Sequence, residues 1–182
     1  GRRRRPGTTS ESAQPSPNGS GGRGATGRVM ATETLSPVVR FPLGLAAGVL
    51  ATLAMDLVMT RLPEGETPPT VAAGVLTLTH PDRAPGRLAS VVHYLAGRLT
   101  GPLFVYTLYL AESVIAPAAV ATGAAAVVLL VVMVGFFVVV VLPRPDGLRP
   151  DRRARIGRDW AVSAAVYVAV LVPVVAVGGG VL

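Results

Sequence analysis

The chain has 182 residues, 51% hydrophobic and only 15% charged, whereas a soluble domain carries about 25% charged residues. It has no Cys and two His, which excludes disulfides, thiolate metal sites and Cys nucleophiles and leaves too few imidazoles for a His-rich metal centre. The formal charge of +7 is concentrated at one end. Residues 1–29 hold six Arg and one Glu, and the remainder is only +2.

Residues 1–29 are dominated by Gly, Ser, Pro, Thr and Arg. With almost nothing to bury, they cannot offset the entropy of ordering, so they read as a disordered tail. No apolar core follows Arg2 to Arg5, so the run is not a signal peptide. A solvated tail and an arm for anionic lipid or nucleic acid are both open to it. Met30-Ala31-Thr32-Glu33 reads as a natural start, which would put the tail upstream of it.

From there the chain predicts an all-α membrane domain, residues 30–182, with about four transmembrane helices. The first span, 41–60, lies between Arg40 and Arg61. Twenty helical residues cover about 30 Å, the thickness of a bilayer core. The loop beyond it carries a short helix starting at Pro68 or just after Pro69, with Thr67 or Thr70 as cap, and ending before Pro81. That segment is too short to span and is expected to lie in the interface or dip in re-entrantly. The second span, 88–111, contains His93 and Arg98. Residues 87–98 also read as an amphipathic surface helix that Gly101-Pro102 would end. The long reading is preferred, because it places Glu112 at the far interface.

The third span, 117–142, holds no charge, and its Val, Leu and Phe residues favour insertion by about 4–9 kcal/mol. Pro117 suits its first helical position. After a loop at 143–159 that contains six Arg, the fourth span covers 160–177, with Trp160 as interfacial anchor and Pro173 as a kink. A β-barrel is excluded, because 127–134 and 136–142 are apolar on every face rather than alternating. Arginine sets orientation. Loops 61–87 and 143–159 hold nine Arg against one, Arg40, on the other side when the tail is left out. They are expected to be cytoplasmic in a cell (plasma) membrane, with both termini outside. This bias accounts for the six-Arg loop without nucleic acid.

One charge inside the first span stands out. Asp56 costs about 2.5–3.5 kcal/mol at a span centre, against a gain of about 2.4–4.8 kcal/mol from the apolar residues around it. It therefore needs a partner. Gly44, Gly48, Thr52 and Asp56 recur every four residues and share one helix face, as do His93, Gly97 and Gly101. Packed antiparallel, these small faces set Asp56 beside His93, Thr52 opposite Gly97 and Gly48 opposite Gly101. Arg98, one turn deeper, can reach Asp56 along its stem. The pair is a candidate for binding or proton relay, with Glu112 as a further relay candidate. The plainer alternative is a hydrogen-bonded clamp between two helices.

His80 reads as a loop residue. Tyr94, Tyr106, Tyr109 and Tyr167 read as packing or interfacial residues, and Gly178 to Gly180 as a helix end. No nucleophile–base–third group motif is visible, so no catalytic residue, metal site or cofactor is expected.

The stretch LPEGETPPTVAAGVLTLTHPDRAPGRLASVVHYLAGRLTG, with the preceding GLAAGVLATLAMDLVM, resembles uncharacterised small multi-pass membrane proteins of haloarchaea. The resemblance covers roughly residues 41–112. It implies functional weight for His93 within VVHYLAG and for Asp56, and no activity. The expected partners are the lipid bilayer, further copies of the chain or a larger membrane complex. Three functions remain open: a structural or accessory membrane subunit, a small proton-, ion- or solute-handling protein using Asp56 and His93, and a membrane-embedded enzyme.

Overall fold

The computed structural model describes residues 37–181, with side chains from Arg40 to Gly179. The predicted tail, 1–29, lies outside them. Four long helices and one short one make up the described chain: α1 (Pro37–Met59), α2 (Thr67–Thr77), α3 (Gly86–Val114), α4 (Ala118–Gly135) and α5 (Pro150–Val181). A 3₁₀ turn, Pro81–Arg83, precedes α3, and α4 continues as a π-helical segment, Phe136–Val141. Among the described residues there is no strand.

Three helices are long and apolar enough to cross a membrane: α1 over Arg40–Met59, α4 with its π-helical end over Ala118–Val141, and α5 over Pro150–Gly179. The third helix has the length. At 1.5 Å per residue its 29 residues extend about 43 Å. It falls short on hydropathy, because His93, Arg98, Thr100, Thr107 and Glu112 interrupt it.

Neighbouring helices run antiparallel. Arg40 and Asp56 of α1 meet Glu112 and His93 of α3. Gly178 of α5 packs on Leu43 of α1, while Asp159 bonds Glu64 just beyond the other end of α1. Trp160 of α5 bonds Met133 of α4. Each long helix thus touches two others in a closed ring, α1–α3–α4–α5. The core inside is built from Ala47, Ala51 and Met55, then Phe104 and Leu108, Leu129, and Tyr167 and Leu171.

Several boundaries differ from expectation. The third helix runs unbroken through Gly101 and Pro102, so the reading in which that dipeptide ends a surface helix fails. Pro102 removes one intrahelical donor, and the released carbonyl, that of Arg98, faces Gly48 of α1. A β-carbon at Gly48 would lie 2.9 Å from it. Pro117 caps α4 from outside instead of opening it. The fifth helix begins at Pro150, ten residues before the predicted span, so most of the six-Arg loop is helix. Asp151 in its first turn suits the positive helix end. Pro173 lies inside it.

The short helix α2 starts at Thr67, with Pro68 and Pro69 in the first turn, where missing N–H groups cost nothing. Glu66 occupies the cap position without a side-chain bond, and the Thr67 hydroxyl instead donates to Glu64 Oε2 at 2.7 Å. Leu78 ends the helix in the left-handed conformation (φ 56°), a position usually given to Gly. Inward, Val71 is fully buried against Phe137, Leu142, Leu148 and Ile156. The segment is therefore a packed wedge on α3, α5 and the π-helical end of α4.

Candidate functional site

The site grows out of the glycine faces of α1 and α3. A β-carbon on Gly101 would collide with the carbonyl oxygen of Gly44, and one on Gly97 with the hydroxyl of Thr52. Thr52 itself is 2% exposed and donates to the Gly48 carbonyl at 2.7 Å. Thr52 faces Gly97, and Gly101 sits against the Gly44 carbonyl and the Gly48 backbone nitrogen. The approach is close enough that side chains one turn on are forced into contact.

Those side chains are Asp56 and His93. His93 Nε2 lies 2.7 Å from Asp56 Oδ1, and the Tyr94 hydroxyl donates to Asp56 Oδ2 at 3.0 Å. Both carboxylate oxygens are thus bonded to consecutive residues of α3. The His93 and Asp56 side chains are 10% and 27% exposed. A carboxylate on one imidazole nitrogen fixes the tautomer and leaves the other nitrogen as an acceptor when the ring is neutral. No second hydrogen bond to the His93 ring occurs among the described residues.

Two cavities meet at His93. One is a polar cleft of about 330 Å³, lined by Asp56, Thr60, Glu66, Ser90, His93 and Tyr94 among others. The second is an apolar chamber of about 230 Å³ whose wall includes His93, Phe137, Trp160 and Tyr167, with Pro68 and Ala72 supplied by α2. Tyr167, fully buried, donates its hydroxyl to the Gly97 carbonyl at 2.6 Å. Trp160 donates its indole N–H to the Met133 carbonyl at 3.2 Å and packs on Phe137 with ring centroids 4.9 Å apart. The π-helical winding starts beside this bond, a geometry often found next to binding sites.

The remaining candidates fall elsewhere. Arg98 is exposed on the outer face of α3 and makes no hydrogen bond or ion pair among the described residues, so it does not join Asp56. Glu112 sits at the far end of α3, where its Oε2 accepts from Arg40 at 3.0 Å, and the Arg40 guanidinium lies 4.9 Å over the Tyr109 ring. It is about 28 Å along α3 from His93, too far for a direct relay.

Two participants were hidden in the sequence. Tyr94 belongs to the site, and its signal is its place on the polar stripe that also carries Arg87, Ser90 and Arg98. Asp159, read as a loop residue, is fully buried, and its Oδ2 accepts from the Glu64 backbone N–H at 2.9 Å. Beside it a collar joins the two loops. Arg152 grips Asp82 with two nitrogens, at 2.9 and 3.0 Å, and bonds Glu64 at 3.0 Å. The guanidinium holds the Asp82 carboxyl below its ordinary value. His80 accepts from the Asp82 backbone N–H at 3.3 Å and remains a loop residue.

Comparison with family models, curated proteins and solved structures gives no match, and the roles of these residues rest on their geometry.

Proposed function

We propose that this protein is a four-crossing membrane protein that handles a small solute or its protons at Asp56, His93 and Tyr94. Parity supports the fourth crossing. The apolar helices α1 and α4 run in the same direction, so the chain between them must return, and α3 is the helix long enough to do so. The collar points the same way: Glu64 and Asp82 from one loop and Arg152 from the other require both loops on one side. Arginine bias assigns that side to the cytoplasm. Single-Cys variants of this Cys-free chain test the topology. Leu78→Cys and Ile115→Cys should react with an impermeant thiol reagent from opposite sides of sealed vesicles. Labelling from the same side would remove the fourth crossing.

One observation carries the solute-handling reading: His93 stands in the wall between a polar cleft and an apolar chamber, with one nitrogen held by Asp56. A clamp needs the pair but not the two cavities. Buried polar pairs can often be replaced by apolar residues of similar volume at no loss of stability, so groups retained for binding and groups retained for stability respond differently. Asp56→Leu with His93→Leu is expected to melt, in detergent or nanodiscs, within a few degrees of the parent or above it. A fall of 10 °C or more would assign the pair to clamping.

The second reading, a structural or accessory membrane subunit, is favoured by a different observation. Arg98 lies near the middle of α3, exposed and without a partner among the described residues, where an unpaired charge is costly. An acidic helix from another protein would relieve that cost.

A further inference from the structure

The chamber is sized and lined for one kind of guest. Its volume of about 230 Å³ exceeds the roughly 150 Å³ of an engineered apolar cavity that stays dry and takes up benzene. Almost all of its lining is carbon. Three polar side chains reach it apart from His93, and their donors are already engaged: the Tyr167 hydroxyl donates to Gly97, the Trp160 indole N–H to Met133 and the Thr100 hydroxyl to Ala96. None can donate to a guest without giving up that bond. His93 differs. With Nε2 directed to Asp56, its other nitrogen is an acceptor without a partner among the described residues. A chamber whose donors are all engaged while an imidazole nitrogen is left to accept selects a guest with a donor. The exposed residues Ala96 and Phe136 lie in its wall, on α3 and on the π-helical end of α4. These put its rim on the outer surface of the bundle, where lipid lies if these helices cross the membrane.

We propose that the chamber binds a lipophilic aromatic molecule bearing a hydroxyl, of the phenol or hydroquinone class. The ring packs between Phe137, Trp160 and Tyr167, and the hydroxyl donates to His93. The guest enters laterally from the bilayer. Asp56 accepts from the far side of the imidazole and keeps the acceptor nitrogen turned to the guest, so it is a positioning residue. The inference rests on the solute-handling reading above and names the class of solute.

Trp160 is the sole Trp of the chain and lies in the chamber wall, which gives a direct readout. Quenching of its fluorescence by 4-bromophenol and by 4-bromoanisole is measured on the full chain in nanodiscs, at matched membrane concentrations. The bromine quenches, and the ether lacks the donor. We expect saturable quenching by both, with the phenol about fivefold tighter, the size of one neutral hydrogen bond. His93→Gln should bring the two together, and Asp56→Asn should narrow the gap. Ala72→Leu, which fills the chamber from α2, should remove saturation for both. Circular dichroism of each variant checks that the helices are intact. Equal, saturable quenching in the parent would overturn the assignment of His93 as the acceptor. Linear quenching by both would overturn the chamber as a site. In either case the melting test on the Leu double variant still decides the broader reading by itself.

Discussion

The pair α1 and α3 carries a polar cluster at each end, and the two are built differently. At one end Arg40 and Glu112 form an ion pair, with the Arg40 guanidinium over the ring of Tyr109. At the other, Asp56, His93 and Tyr94 form a hydrogen-bonded cluster set between two cavities. On the four-crossing reading, the first is what a helix pair needs where it leaves the bilayer: opposite charges that satisfy each other and shield the backbone ends. The second is more than anchoring needs. Between them the helices touch through Gly44, Gly48, Thr52, Gly97 and Gly101. On the solute-handling reading, the difference separates anchoring from binding within one helix pair.

The largest effect should come from the seam, on which both ends depend. Gly101→Ala places a methyl group into the Gly44 carbonyl. Backbone cannot yield as a side-chain end can, so the cost should lie at or above the upper part of the ~1–3 kcal/mol range for overpacking. Gly123 makes the matched control, because a β-carbon there meets nothing within 4 Å. Gly123→Ala should be neutral or stabilising by about 0.5–1 kcal/mol through helix propensity. Thermal melts of the two variants, followed by circular dichroism, should move in opposite directions. A Gly101→Ala protein as stable as the parent would mean that the helices do not approach this closely.

The next effect separates the two ends. Glu112→Gln removes the ion pair but leaves Arg40 over Tyr109, and we expect a loss of about 1–2 kcal/mol with bromophenol quenching unchanged. Asp56→Asn should do the reverse, with a small change in melting and a clear change in quenching. If Glu112→Gln weakened the phenol's advantage as much as Asp56→Asn, the ends would be coupled and the division between anchor and site would fail.

Much of this was readable in the chain. The four-residue spacing of Gly44, Gly48, Thr52 and Asp56 against His93, Gly97 and Gly101 is enough to bring Asp56 and His93 together, because small residues at helical period leave few ways for two helices to meet. Arg98 was read as reaching Asp56 from sequence distance alone, but direction around the helix decides contact, and the Arg98 side chain is exposed and makes no ion pair among the described residues. The chamber was invisible. It depends on α2 turning inward through Pro68 and Ala72 and on α4 widening into a π-helix at Phe136, and neither leaves a periodic signal. The early start of α5 was masked by its arginines, which read as loop although they are good helix formers.

The smallest effect lies in the collar that ties the loops together outside the membrane-spanning parts. Arg152 holds the Asp82 carboxyl below the usual carboxylate range by two hydrogen bonds. A carboxyl depressed in the folded state contributes stability in full above its unfolded value, and that contribution is lost as pH falls through the folded value. Asp82 is 55% exposed, so solvent and salt screen the pair and its worth should not exceed about 1 kcal/mol. Asp82→Asn should therefore lower the melting temperature slightly at pH 6, and the gap to the parent should close as pH falls below 4. Raising salt at pH 6 should shrink it too, because exposed pairs are screened over about 10 Å at 0.1 M. A gap that persisted at low pH would mean that Asp82 acts through its shape in the turn before α3, where its backbone N–H already donates to His80, and not through its charge.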